Sequence, residues 1–178
     1  MNPHRPYVLQ EYDPNWNVRF LDASERLRPL FGDNLFEIDH IGSTSIKGML
    51  AKPQVDVLVV VKDLEAVRSL YETFLLEGYT VHGRGYVAPD DEYISRDDAS
   101  GARLLSIHVL QAGNPKINEY KVFRDYLSSH VKDRELYVAA KKELYVSHSG
   151  NYAEYVRGKQ DVIDTIKARA MTWAKTQS

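Results

Sequence analysis

The sequence contains no cysteine, which excludes disulfide bridges and thiolate metal sites within this chain. It also lacks a long hydrophobic run, since its longest wholly apolar stretch, Val57–Val61, is far too short to cross a bilayer. The N-terminal residues MNPHRPYVLQEYDP show no apolar segment of the kind found in signal peptides. These absences favour a cytoplasmic protein without a membrane partner.

A strong charge of one sign is missing as well. With 23 basic and 25 acidic residues the formal net charge is −2, so a general affinity for nucleic acid is not indicated. A locally basic pocket remains compatible with this balance. The sequence shows no internal repeat, and it does not indicate an oligomeric state.

The pattern of apolar residues predicts an α+β fold. About residues 1–112 contain one helix after Asp13-Pro14 and another from Asp63 to Leu76. Alternation and turn residues predict five strands in the same part. They are Phe36–Ile41, Val55–Val61, Tyr79–Val81, Glu92–Ser95 and Arg103–Leu110.

The remaining part, about residues 113–178, is predicted to be helical. Its three helices are Pro115–His130, Asp133–His148 and Asn151–Ala174. We therefore expect a small mixed β-sheet with helices, followed by a C-terminal helical bundle packed on it. No linker is long enough to demand two units, so we expect a single domain over residues 1–178.

One stretch, HIGSTSIKGMLAKPQVDVLVVV at 40–61, concentrates residues suited to chemistry. Gly42 would let the backbone approach a ligand, and the hydroxyls and amides of Ser43, Thr44 and Ser45 could bind phosphate oxygens. Lys52 could add positive charge. Neighbouring strands would place Ser43 close to Asp56.

A phosphate beside a carboxylate needs a cation between them, and Mg²⁺ is the usual one. The stretch is thus compatible with a metal–nucleotide site. The alternative is a capped turn before a buried strand, with Asp56 hydrogen-bonded to a neighbouring loop.

The segment HIGSTSIKGMLAKPQVDVLV closely resembles the signature of the GrpB family, within the nucleotidyltransferase superfamily. Ile41, Gly42, Ser43 and Asp56 fill the general pattern of that superfamily. The resemblance continues in order along nearly the whole chain. It includes YDPNW at Tyr12–Trp16, IHV at Ile107–Val109, FRDYL at Phe123–Leu127, and the later YVAAKKEL and YAEYVRGKQDVI.

This resemblance implies a nucleotidyltransferase-like core and a chemistry. Gly42 and Ser43 would hold the phosphates of a nucleoside triphosphate (NTP), and acidic residues led by Asp56 would hold Mg²⁺. An acceptor oxygen would attack the α-phosphorus and expel pyrophosphate, although the acceptor itself is not implied. The alternative is a non-catalytic module that binds a nucleotide or a phosphorylated small molecule on the same fold.

The sequence departs from the superfamily where further acids are expected. The residue two positions after Asp56 is Leu58, and the later strand offers Ser106 and His108 instead of a carboxylate. We expect Glu92, ahead of Asp97 or Asp98, to assist Asp56 in holding the metal, and the alternative is that Glu92 is a surface residue. His108 could bind a metal, act as a base or bind phosphate, and otherwise it would be a hydrogen-bonded structural histidine.

Four more basic or titratable residues complete the prediction. His40, directly before the turn, has the same alternatives as His108: phosphate binding or a structural role. Arg124, Lys141 and Lys159 fall on inward faces of the C-terminal helices, where an unpaired charge is costly. We expect these three to converge on the cleft and meet phosphate or an acceptor. The alternative is that they reach solvent or pair with Asp125 and Glu143.

Overall fold

The computed structural model describes residues 4–177, with five strands at its centre. The strands are β1 Leu35–Ile41, β2 Val55–Val61, β3 Thr80–Arg84, β4 Glu92–Asp97 and β5 Arg103–Gln111. They form one mixed sheet in the order β1-β2-β5-β4-β3, in which β2 and β5 are parallel and the other neighbours antiparallel. All five predicted strands are present.

Helices cover the sheet and follow it. In the described part they are α1 Asn15–Phe31, α2 Tyr71–Leu76, α3 Pro115–Ser129, α4 Val131–Ser147, α5 Tyr152–Gly158 and α6 Gln160–Ala174. Side-chain caps explain several of the starts. The side-chain oxygen Oδ1 of Asn114 accepts a hydrogen bond from the backbone amide of Lys116 at the start of α3. Oδ1 of Asn151 accepts one from the backbone amide of Glu154 at the start of α5.

The predicted helix from Asp63 to Leu76 differs in its first half, which is a 3₁₀ helix over Glu65–Leu70. Its inward residues explain this. Leu64, Val67 and Leu70 recur every three residues and face the core, which suits three residues per turn rather than 3.6.

The predicted helix Asn151–Ala174 is interrupted at Lys159, between α5 and α6. Gly158 lies against Leu144 of α4, where any Cβ would clash with the leucine side chain. Glycine permits this close contact and also weakens the helix. The interruption places Lys159 at the junction of the two helices.

The two faces of the sheet are covered differently. On the packed face, alternate residues of β2 and β5 such as Val57, Val59 and Ile107 join one core with α1 and α2. On the opposite face, α3 covers only part of the sheet, through Ile117 and Tyr120. We call this second side the open face, because the sheet there is left uncovered around Asp56 and His108.

The C-terminal helices pack against the segment that follows β1. Ile46 and Met49 of this segment are fully buried together with Leu127, Tyr137 and Ile166 of α3, α4 and α6. The bundle therefore forms a wall beside the open face. Within residues 4–177 no helix combines the length and the apolar character needed to cross a bilayer.

Candidate functional site

The turn after β1 approaches β2 very closely at one point. Gly42 has φ 71° and ψ −172°, a conformation that is essentially restricted to glycine. A Cβ at this position would lie 2.9 Å from Asp56 Cβ and would overlap the Asp56 carboxylate. Glycine is thus required here, and the turn backbone lies directly against the carboxylate, as the sequence predicted.

Asp56 is held from the side by a residue that the sequence analysis did not single out. Gln54 Nε2 donates to Asp56 Oδ1 at 3.0 Å and to Ser106 Oγ at 2.9 Å. Ser106 Oγ also lies 2.7 Å from the hydroxyl of Tyr93. This network orients one carboxylate oxygen of Asp56 and leaves Oδ2 beside Gly42.

Three lysines converge on this carboxylate from different elements. Lys141 Nζ donates to Ser43 Oγ at 2.6 Å and to the Leu50 carbonyl at 2.8 Å. Lys52 Nζ donates to the Tyr152 hydroxyl at 2.8 Å. Lys159 lines the same cleft from the junction of α5 and α6.

Each ammonium group also lies over a tyrosine ring. The distances to the ring centre are 4.1 Å from Lys141 to Tyr137, 4.2 Å from Lys52 to Tyr152, and 4.9 Å from Lys159 to Tyr155. Such cation–π contacts partly replace the water that burial removes. The prediction that Lys141 and Lys159 point into the cleft agrees with this placement.

Burial shifts the titration of all three lysines. It lowers the pKa of Lys159 to about 7 and that of Lys52 to about 8, and the neighbouring Lys52 adds to the shift of Lys159. It lowers the pKa of Lys141 well below its ordinary value, with repulsion from Lys159 and Lys52 as further causes. Asp56 opposes the shift in each case. The part of the cleft that these lysines line therefore holds three basic groups and, among the described residues, one carboxylate, as expected for a site that receives an anion.

Arg124 does not join these lysines, which corrects the predicted convergence. It donates to the carbonyl of His40 at 3.1 Å and pairs with Asp125 at 2.8 Å and with Asp39 at 3.5 Å. These contacts attach α3 to β1. Lys52 takes the third position in the cleft instead.

The side chains of His40, Thr44 and Ser45 make hydrogen bonds within the protein, and their role in phosphate binding stays a prediction. His40 projects to the packed face, stacks on Phe20 and shares a 3.0 Å hydrogen bond with Thr44 Oγ1. Burial lowers the pKa of His40 to about 4, so it is neutral near pH 7. Ser45 Oγ donates to the Gly42 carbonyl at 2.6 Å. These hydrogen bonds stabilise the conformation of the turn.

Glu92 does not lie with Asp56, and its expected role as a metal ligand is corrected. It pairs with Val109 across β4 and β5, which places its side chain on the packed face. There it is 1% exposed, accepts a hydrogen bond from the Tyr71 hydroxyl and lies 3.8 Å from Arg68. A buried carboxylate with these partners is satisfied within the protein.

Asp91, the residue directly before Glu92, is the acid that reaches the open face. Asp91 is 0% exposed, and its Oδ2 lies 2.7 Å from Nδ1 of His108. Strict alternation back from Tyr93, which pairs with His108 across β4 and β5, would have indicated Asp91. Asp91 lies just outside the predicted strand, which begins at Glu92, and was therefore not among the predicted acids.

The cleft has two arms that meet at Asp56, His108 and Lys159. The lysine arm, about 220 Å³, is lined by residues that include Ser43, Lys52 and Lys141. The aromatic arm, about 440 Å³, includes Gly42, Lys116, Tyr120, Phe123 and Ile163. A separate pocket of about 240 Å³ lies beyond Lys52 and Gln54, lined in part by Arg5, Arg103 and Tyr152.

The donor atoms fit one Mg²⁺ ion held jointly with substrate phosphates. Mg²⁺ is commonly bound by one or two carboxylates plus phosphate oxygens, and Asp56 offers Oδ2 at the turn. Within residues 4–177 no group of three His, Cys, Asp or Glu side chains could hold a metal ion by itself. Asp56 would hold the ion.

Comparison with known proteins identifies the family. A family model described as GrpB protein matches residues 6–169. The chain belongs to the GrpB family. The UPF0157 protein YqkA of Bacillus subtilis is a relative, 35% identical over 173 residues, which is 97% of this chain and 50% of that protein. The chain therefore spans half the length of this relative.

Solved structures confirm the fold of this GrpB-family chain. The crystal structure of GrpB from Enterococcus faecalis superposes with a TM-score of 0.88, at 28% identity, and covers 94% of this chain and 99% of that one. A structure of Cid1 in complex with its short product ApU matches with a TM-score of 0.53 at 14% identity, covering 83% of this chain and 48% of that one. At this identity the second likeness shows the fold alone, which is nucleotidyltransferase-like.

Proposed function

We propose that this chain binds a nucleoside triphosphate with Mg²⁺ in the cleft and transfers its nucleoside monophosphate to an acceptor. The observation that carries the proposal is the close approach of the Gly42 turn to Asp56. It places the backbone amides and the hydroxyl of the turn, which can donate to phosphate, so close to the Asp56 carboxylate that one ligand could contact both. A phosphate and a carboxylate repel each other, so this arrangement is favourable when a cation binds between them.

The lysine arm would receive the β- and γ-phosphates. Ser43 Oγ accepts from Lys141 and also has a hydrogen bond with the side chain of Tyr137, and its hydroxyl would donate to a phosphate oxygen when the ligand binds. Lys52 and Lys159, which both lie near the Tyr155 ring, would supply further positive charge. Binding of a polyanion would favour the protonated form of each lysine and so offset the cost of its burial.

The transfer would form a bond between the acceptor oxygen and the α-phosphorus and break the bond to the oxygen that leaves with pyrophosphate. The acceptor's proton would leave to a base or to solvent. When bound at Asp56, Mg²⁺ would neutralise charge on the phosphate oxygens. The chain's own contribution is to position both substrates at the junction of the two arms and to stabilise the charge of the leaving pyrophosphate.

Thermal unfolding with each of the four NTPs, with Mg²⁺ or with EDTA, tests this proposal. A ligand at 100 times its Kd should raise the midpoint by roughly 5 to 10 °C for a chain of this size. We expect such a shift with Mg²⁺ for at least one NTP in the wild type. Asp56→Asn should lose the shift, while the exposed control Asp33→Asn should keep it.

A second candidate is a binding module for a phosphorylated metabolite, without transfer. The excess of lysines over carboxylates in the cleft favours it, because Lys52, Lys141 and Lys159 could bind phosphate without a metal. A midpoint shift that is equal in Mg²⁺ and EDTA, and unaffected by Asp56→Asn, would support this module and contradict nucleotidyl transfer.

A further inference from the structure

The buried acid on the open face is left incompletely satisfied. Asp91 is 0% exposed, and its one ion pair among the described residues is with His108. Its second oxygen, Oδ1, is buried and has no hydrogen-bond partner in that part of the chain. A buried carboxylate is costly unless a compensating charge lies close by.

The hydrogen bond to Asp91 fixes how His108 is presented. A carboxylate at Nδ1 favours a proton on that nitrogen. The other ring nitrogen, Nε2, then carries a free lone pair. Histidines that bind metals commonly donate their second N–H to a carboxylate, which orients the ring and raises its basicity.

His108 and Asp56 lie on adjacent strands with their side chains on the same face. In the parallel pair of β2 and β5, Asp56 pairs with Ser106 and Leu58 pairs with His108. The two side chains are thus offset by two residues along the strands, and both line the lysine arm and the aromatic arm.

We propose that Asp56 and His108 together bind a divalent cation at the junction of the two arms, and that Asp91 is the positioning residue for the imidazole. One carboxylate and one imidazole suit Mn²⁺ better than Mg²⁺, which prefers oxygen ligands. The site therefore favours Mn²⁺ over Mg²⁺. The cation's charge compensates the buried Asp91 carboxylate through the imidazole ring.

The remaining coordination positions are taken by water or by phosphate oxygens, and in this respect the inference rests on the proposed function. The lysines repel a cation that arrives alone. Pyrophosphate, a probe that brings negative charge to the lysine arm, should therefore tighten Mn²⁺ binding.

Electron paramagnetic resonance titration of free Mn²⁺, with and without pyrophosphate, measures the affinity. We expect His108→Gln to weaken Mn²⁺ binding at least 10-fold and Asp91→Asn to weaken it about 10- to 100-fold. His82→Gln is the matched control, because His82 bonds to Ser95 and lines neither arm. It should leave the affinity unchanged, and circular dichroism should show all variants folded.

Histidine-selective ¹⁵N NMR provides a direct readout that does not depend on activity. Mn²⁺ should broaden the ring signals of His108 before those of His82, and Asp56→Asn should abolish this selective broadening. Absence of Mn²⁺ binding, or binding that spares the His108 ring, would overturn the inference.

The two proposals fail separately. If His108→Gln leaves Mn²⁺ binding intact while NTP binding still requires Asp56, the imidazole ligand is wrong and nucleotide binding stands. If Mn²⁺ broadens the His108 ring but no NTP changes the unfolding midpoint, the cation site stands and the proposed function falls.

Discussion

The two faces of the central sheet use alternate residues of the same strands for different purposes. On the packed face, Val57 and Ile107 are fully buried and contribute only packing. On the open face, their neighbours Asp56, Ser106 and His108 line the cleft. Because strand side chains alternate, a shift of one residue decides whether a group builds the core or meets a ligand.

Polar residues occur on both faces, and their partners distinguish them. Glu92 on the packed face is paired with Tyr71 and Arg68 within the protein. On the open face, Asp91 Oδ1 is buried and has no hydrogen-bond partner in the described part of the chain. Satisfied polar groups indicate structure, whereas groups with unused bonding capacity indicate where a ligand binds.

The largest expected effect tests whether the turn is built around Asp56. Gly42→Ala should lower the free energy of unfolding by roughly 2 to 4 kcal/mol, because it adds backbone strain and a clash with the carboxylate. Urea unfolding measures this loss. Gly101→Ala also has a positive φ, but nothing lies within 4 Å of its added Cβ, so it should cost only about 1 kcal/mol.

The double variant Gly42→Ala/Asp56→Ala removes the overlap with the carboxylate and leaves the backbone strain and the 2.9 Å contact between the two Cβ atoms. It should be more stable than expected from the sum of the two single variants. Equal losses for Gly42→Ala and Gly101→Ala would contradict the close approach.

An intermediate effect concerns the pH dependence of stability. The pKa of Lys159 falls from 10.5 to about 7 on folding. The unfolded chain therefore binds more protons between about pH 7 and pH 10.5, and the Lys159 contribution makes stability rise with pH across that window. Lys159→Met should remove this rise. Its gain in the free energy of unfolding over the wild type should therefore be largest near pH 6.5 and should shrink towards pH 10.5.

Urea unfolding at several pH values checks the Lys159 prediction. Lys142→Met is the control, since Lys142 is 59% exposed and pairs with Glu11 at the surface; it should retain the wild-type pH dependence. An unchanged pH dependence in Lys159→Met would show that this lysine is not buried beside the cleft as described.

The smallest expected effect concerns the buried acid of the packed face. Glu92→Gln retains an acceptor for Tyr71 and should cost only about 1 kcal/mol of stability. It should leave any NTP-dependent shift of the unfolding midpoint unchanged, because Glu92 faces away from the cleft. A loss of that shift comparable to Asp56→Asn would contradict the assignment of Glu92 to the packed face.

Much of the fold follows from local patterns in the sequence. The run from Val55 to Val61, which is apolar apart from Asp56, forms β2 with the predicted bounds, because a strand buried on both faces shows little alternation. Helices begin at Pro115 and directly after Asn151, as predicted, and the side chains of Asn114 and Asn151 cap them.

The site was less predictable, because tertiary contacts decide it. Glu92 rather than Asp91 was selected since the predicted strand begins at Glu92, whereas the facing His108 selects Asp91. Arg124 was assigned to the cleft, but Asp39 and the His40 carbonyl attract it to β1. The break at Gly158 that presents Lys159 depends on Leu144 of another helix.

The central claim is that the open face of the sheet is the nucleotide site. A crystal structure with Mg²⁺ and a non-hydrolysable analogue of the NTP that gives the largest unfolding shift tests it most directly. We predict that the phosphates lie between the Gly42 turn and the three lysines, with the ion against Asp56. Phosphates bound elsewhere, such as the separate pocket beside Arg5 and Arg103, would contradict the account.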